Sequence, residues 1–262
     1  MEPVATEVLL LLIGVGFAAG LLDAIAGGGG LIALPALLAT GMAPVDALGT
    51  NKLQGSFGTT AAAGHFFRHG HIDTGEVAQA VACTFVGAVL GAFAVQHANP
   101  DFLALLIPLL LVANALYFLF SPRIGDVERH RRIGRGLFAV VVGGGLGFYD
   151  GYFGPGTGSF FALAYVVLLG FSLTRATAHT KVLNMTSNLA ALLLFALAGH
   201  VVWLIGLWMG AAQVVGATVG AHLVIRRGAG LVRPLIVIVC LAISVRLLTQ
   251  PGHPFMAWVA GW

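Results

Sequence analysis

Apolar runs of about 20 residues, the length that crosses a bilayer core as a helix, recur along most of the chain. Two of these runs are broken. In "LLDAIAGGGGLIALPALL" (21–38), Gly27 to Gly30 separate two apolar stretches, with Asp23 just upstream. In "FYDGYFGPGTGSFFALAYVVLL" (148–169), Asp150 precedes a break made of Gly154, Pro155, Gly156 and Gly158, and another apolar stretch follows. Glycine costs a helix about 1 kcal/mol relative to alanine, so each stretch predicts two helical legs parted by a deliberate interruption.

The two breaks belong to an internal repeat, the first thing to look for in a long chain. A shift of 129 residues aligns Ala33 to Ala92 with the second half without a gap. It matches Gly41 with Gly170, Lys52 with Lys181, Gly70-His71 with Gly199-His200, and Gly87/Gly91 with Gly216/Gly220. A two-residue gap in the glycine loop brings Asp23 onto Asp150 and Gly27 onto Gly154. Each half therefore predicts a broken element (roughly 7–40 and 133–170) followed by three continuous spans. Those spans are roughly 43–68, 75–97 and 101–120, then 173–198, 201–225 and 231–249. The small-xxx-small pairs Gly87/Gly91 and Gly216/Gly220 are expected to let helix backbones approach closely.

Composition agrees: 58% of the 262 residues are hydrophobic and 9% charged, with mean hydropathy +0.96. The fold class is an all-α polytopic membrane protein of about eight transmembrane segments in two tandem repeats. Repeat 1 covers 1–122, a basic cytoplasmic loop 123–132, and repeat 2 133–262. The acidic start "MEPVATE" lacks the basic region of a signal peptide. Arginines mark cytoplasmic loops: Arg123, Arg129, Arg131, Arg132 and Arg135 in the centre, Arg68 before it, and Arg226, Arg227 and Arg233 after it. Both later loops lie inside only if the broken element makes an even number of crossings, as a two-leg hairpin or a re-entrant loop. Each half is then odd, and the repeats are inverted. Nucleic acid is not an expected partner, because the arginines are topology signals first.

Inverted repeats with broken helices are a plan of secondary transporters, in which half-helix N-termini point backbone N–H groups at an anion. Gly28, Gly29, Gly30, Gly156, Thr157 and Gly158 are the expected backbone donors. Lys52 and Lys181 lie in "LGTNKLQG" and "AHTKVLNMTSN" beside Thr50, Asn51, His179, Thr180, Asn184 and Asn188. An intramembrane lysine faces a cavity or a charged partner, unless it snorkels to the interface. Asp23 and Asp150 are candidates to pair with the lysines, carry coupling protons or hold the loops. Asp46 and Arg175 read as interface residues, and His65, His69 and His71 as solvated. No metal or cofactor motif is present: "GGGLG" lacks a βαβ context, and "GPGTGS" lacks the lysine of a P-loop. Cys83 and Cys240 sit in apolar runs as packing residues, and Ser159 is not expected to serve as an intramembrane nucleophile.

The blocks "GTNKLQGSFGTTAAAGHFFRHG" and "GFYDGYFGPGTGSFFALAYVVLLGFSLTRATAHTKVLNMTSN" resemble the sulfite exporter TauE/SafE family, in its branch of probable membrane transporters. The resemblance spans nearly the whole chain. It implies movement of a small sulfur-containing anion (sulfite, thiosulfate, sulfoacetate) across a bacterial inner membrane. The family's glycine blocks fall on Gly27–Gly30 and Gly154–Gly158, and its polar blocks on Thr50–Lys52 and His179–Lys181. The proline after the first block is Pro35, whereas Ala164 stands in the second half. The partners implied are a small anionic solute and the lipid bilayer, with a homo-oligomer left open. The rival readings are a proton- or cation-coupled carrier centred on Asp23 and Asp150, and an intramembrane enzyme or assembly subunit.

Overall fold

The computed structural model describes residues 6–120 and 130–227. Arg123 and Arg129 of the central loop, and the span expected at 231–249 with Cys240, lie outside them. In the first half, α1 (Thr6–Ala26) and α2 (Gly30–Ala39) are the legs of the broken element, followed by α3 (Pro44–Arg68), α4 (Thr74–Gln96) and α5 (Pro100–Phe120). In the second, α6 (Arg135–Phe138) continues through a π-helical stretch, Ala139–Gly144, into α7 (Gly145–Tyr152) as one leg. The other leg is α8 (Thr157–Leu169), and α9 (Leu173–Leu197) and α10 (Trp203–Arg227) follow.

Local chemistry sets the ends. Pro44 occupies the first turn of α3, where its missing N–H is no loss. Asp73 caps α4 by accepting from Gly75 N (2.9 Å) and Glu76 N (3.3 Å). Helices α3 and α9 stop in the same way: His71 N–H donates to the Phe66 carbonyl (3.1 Å) and His200 N–H to that of Phe195 (2.8 Å). These bonds close around Gly70 and Gly199, at φ +71° and +79°. The offset of 129 read from the sequence thus recurs in helix bounds and in individual hydrogen bonds.

Helices α3 and α9 pack antiparallel at the centre, with Gly49 against His200 and Gly55 against Asn188. Around them the halves interlock. Helix α1 runs parallel to α10, Gly16 under the Met209 carbonyl and Gly20 under that of Gln213. Helix α4 runs parallel to α7, Gly87 under the Gly144 carbonyl and Gly91 under that of Phe148. Each half's first leg is therefore seated on the other half's third element. A Cβ at these glycines would strike backbone, the close approach expected of small-xxx-small pairs. Gly216, against the Phe17 carbonyl, does the same.

Each broken element enters and leaves at one end of the bundle, the two at opposite ends. Arg132 and Ile133 N–H groups donate to the Leu168 carbonyl, so the start of the α6–α7 leg lies beside the end of α8. Helix α1 begins level with the start of α10, and α2 returns to Pro44 at that same end, where Asp46 meets His200 at 2.7 Å. At the opposite end Glu76 is held by Arg135 and Arg175.

The polarity is that of a chain in lipid. Phe85, Leu90, Phe93, Leu193 and Trp208 are exposed, while Lys52, Lys181, Asp23, Asp150, Asn184 and Gln213 are buried. Three described stretches are long and apolar enough to cross a membrane: Thr6–Ala24, Thr74–Gln96 and Leu173–Leu197. The first has the length, yet its leg ends inside the bundle at Gly27.

Candidate binding cavity between the glycine breaks

Each first leg ends in a left-handed glycine, Gly27 at φ +69° and Gly154 at φ +99°. Only glycine takes such a backbone freely, and it turns the chain sharply enough to start a second helix beside the first. The tips meet in the interior, where the Gly27 carbonyl lies against Gly158. An aspartate sits in the last turn of each first leg, a place where a helix dipole disfavours negative charge.

The compensating charge comes from the other half. Lys52 Nζ donates to Asp150 Oδ1 at 2.9 Å, and Lys181 Nζ to Asp23 Oδ2 at 3.0 Å. Both lysines are buried, Lys52 to 1% exposure and Lys181 to 3%, so neither snorkels to an interface. Burying an ammonium is tolerable only with a partner and hydrogen bonds. Asp150 has further donors: Thr157 Oγ1 at 3.0 Å and the hydroxyl of Ser187.

Between the tips lies a cavity of about 40 Å³, room for a few waters. Of the expected site residues, Asp23, Gly30, Asn51, Lys52, Asp150, Gly156, Gly158, Asn184 and Asn188 line it. Lys181 stands behind Asp23. Gly28 and Gly29 lead into α2, their carbonyls accepting from the N–H groups of Leu31 and Ile32. Thr157 bonds Asp150 and the Gly154 carbonyl. Thr50 accepts from Val202 N at 3.0 Å and pins α3 to the start of α10. The Thr180 hydroxyl is buried without a hydrogen bond. His179 lies away from the cavity, packed among Tyr165 and Phe171, with Nε2 3.8 Å from Glu76.

The sequence reading passed over Gln54, Thr59 and Gln213, which also line the cavity. Gln54 Oε1 and Gln213 Oε1 are buried without a partner. Their signal was a polar side chain inside an apolar run. It also passed over Asn114, whose Nδ2 donates to Tyr149 Oη (2.9 Å), which in turn donates to the Pro155 carbonyl (2.8 Å). That relay fixes the second break.

The model of the family described as sulfite exporter TauE/SafE matches residues 12–247. The chain belongs to that family. Its relatives include "Probable membrane transporter protein ORF9" of Sinorhizobium, 45% identical over 259 residues, 99% of each chain. "Probable membrane transporter protein YfcA" of Escherichia coli K12 is 46% identical over 242 residues, 92% of this chain and 90% of its own. A "Probable membrane transporter protein" of Haemophilus influenzae is 44% identical over 249 residues, 95% of this chain and 98% of its own. No solved structure matches the chain significantly. The protein is a membrane transporter of this family, and its two glycine breaks are the tips that meet at the cavity.

Proposed function

We propose that this protein is a secondary transporter of the bacterial inner membrane that carries a small anion, of the sulfur oxyanion or organosulfonate kind, through the cavity between its glycine breaks. The observation that carries the reading is the crosswise pairing of two buried lysines with two buried aspartates around the N-termini of α2 and α8. Opposed helix N-termini attract an anion, and the amides of Asn51, Asn184 and Asn188 offer neutral donors. The two halves are inverted in the membrane, a reading supported by the antiparallel α3 and α9, and each broken element is re-entrant. Alternating access is rocking about the tips, and a cavity too small for an oxyanion is an occluded state of that cycle. The family name and its sulfite export support the sulfur label.

The test is thermal stability of the purified protein in detergent against sulfite, thiosulfate, sulfoacetate, sulfate and simple carboxylates. A ligand at 100 times its Kd stabilises by about 2.7 kcal/mol. One anion is expected to stabilise the wild type and to bind at least tenfold more weakly to Asn51→Ala/Asn184→Ala, which keeps both ion pairs. Stabilisation by sodium or pH alone, with no anion effective, overturns the reading in favour of a cation-coupled carrier.

A further inference from the structure

The two ion pairs are equivalent by sequence but not by surroundings. Both oxygens of Asp150 are engaged, Oδ1 by Lys52 and Thr157 and Oδ2 by Ser187. Asp23 has one side-chain donor among the described residues, Lys181 on Oδ2. The difference is written in the repeat: the 129-residue shift places Gly58 opposite Ser187, and the residues opposite Thr157 are the glycines Gly28 to Gly30 in either register. At these matching positions the first half has no hydroxyl with which to build the same cage. Asp23 also lines the cavity, and its side chain is 10% exposed against 3% for Asp150. Lys181 Nζ holds the Asp23 backbone carbonyl as well, at 3.0 Å, so the ammonium keeps its place when the carboxylate loses its charge.

We propose that Asp23 and Lys181 are the switching pair that couples anion to proton, while Asp150 and Lys52 stay paired as a fixed frame; this rests on the anion-carrier reading of the same cavity. In the empty site the pair Asp23⁻/Lys181⁺ is neutral. A hydronium in the cavity gives its proton to Asp23, leaving water and a carboxylic acid, and the pair carries one positive charge. A monovalent anion restores neutrality, so one proton is taken up with each anion bound.

The charged groups facing Asp23 are few. Lys181 comes from α9, and Lys52 from α3 and Asp150 from α7 border the same cavity. Helix α2 has no titratable residue, α8 contributes none to the cavity, and α10 faces it with the amide of Gln213.

The experiment uses the full chain in detergent, with methanesulfonate as a monovalent probe and thiosulfate as a second, both of constant charge across the range. In the wild type the affinity is expected to rise by up to tenfold per unit fall in pH, with proton uptake reported by an indicator dye. In Asp23→Asn, which mimics the protonated acid, binding stays tight and independent of pH, without proton uptake. Ser187→Ala, a mild opening of the other cage, keeps the wild-type slope. A full pH slope in Asp23→Asn, or loss of all binding in that folded variant, overturns the proposal. An independent arm needs no anion: acidifying the unliganded wild type should produce the infrared band of a protonated carboxyl, absent from Asp23→Asn. If no probe binds at any pH, the anion reading falls. The infrared difference still decides whether Asp23 is the proton acceptor, and an identical band in both proteins overturns that.

Discussion

At the scale of single residues, the left-handed glycines differ in what surrounds them. Gly41 has open space about its missing Cβ, whereas a Cβ on Gly154 would lie 2.6 Å from Lys52 Nζ and 3.1 Å from Asp150 Oδ1. Both carry positive φ, at +84° and +99°, and an L-residue there costs about 1–2 kcal/mol. Gly41→Ala should therefore lose only that backbone cost. Gly154→Ala should lose more, because it also pries apart a buried ion pair whose disruption costs about 3–5 kcal/mol. Thermal unfolding of the two variants side by side checks the order, and equal losses would show that the Lys52–Asp150 pair tolerates displacement. The sequence made the lysines, the aspartates and the glycine tips legible, because charge in an apolar run is costly and glycine in a helix is conspicuous. It did not show that each lysine serves the other half's aspartate, since pairing across 98 or 158 residues depends on how helices cross. His179 looked like a site residue because it neighbours Lys181, yet a helix turns it toward Tyr165 and Glu76.

At the scale of elements, the informative contrast lies within α1. Gly14 meets nothing within 4 Å, while Gly20 lies under the Gln213 carbonyl of α10. Gly14→Ala should be neutral or slightly stabilising through helix propensity, about 1 kcal/mol at most. Gly20→Ala should force the parallel helices apart and lower the unfolding temperature well beyond that, as should Gly91→Ala in the α4–α7 seam. Similar midpoints for Gly14→Ala and Gly20→Ala would mean the seam is loose. Element order was readable from hydropathy and the repeat, and the observed helices fall within a few residues of the expected spans. The seams were half visible. Gly87/Gly91 and Gly216/Gly220 stood out by matching each other, whereas Gly16/Gly20 passed as scattered glycines although the offset that lays Asp23 on Asp150 also lays them on Gly143/Gly147. The π-helical Ala139–Gly144 had no signal, since the sequence "AVVVGG" is equally compatible with an α-helix.

At the scale of the whole molecule, the sequence halves are not the packing units. The first leg of each broken element is seated against the third element of the opposite half, and each buried lysine finds its counter-charge on the opposite half's first leg. Two fragments made by cutting between residues 121 and 129 should reassemble when produced together, giving a complex that co-purifies and unfolds in one transition. Either fragment alone should be degraded, and a lone first half that accumulates folded in the membrane would contradict this. The crosswise ion pairs thus act as a proofreading device during biogenesis. A half that has not met its counterpart leaves an ammonium and a carboxylate stranded in hydrocarbon, so the bilayer itself rejects the incomplete molecule before any cellular surveillance is needed.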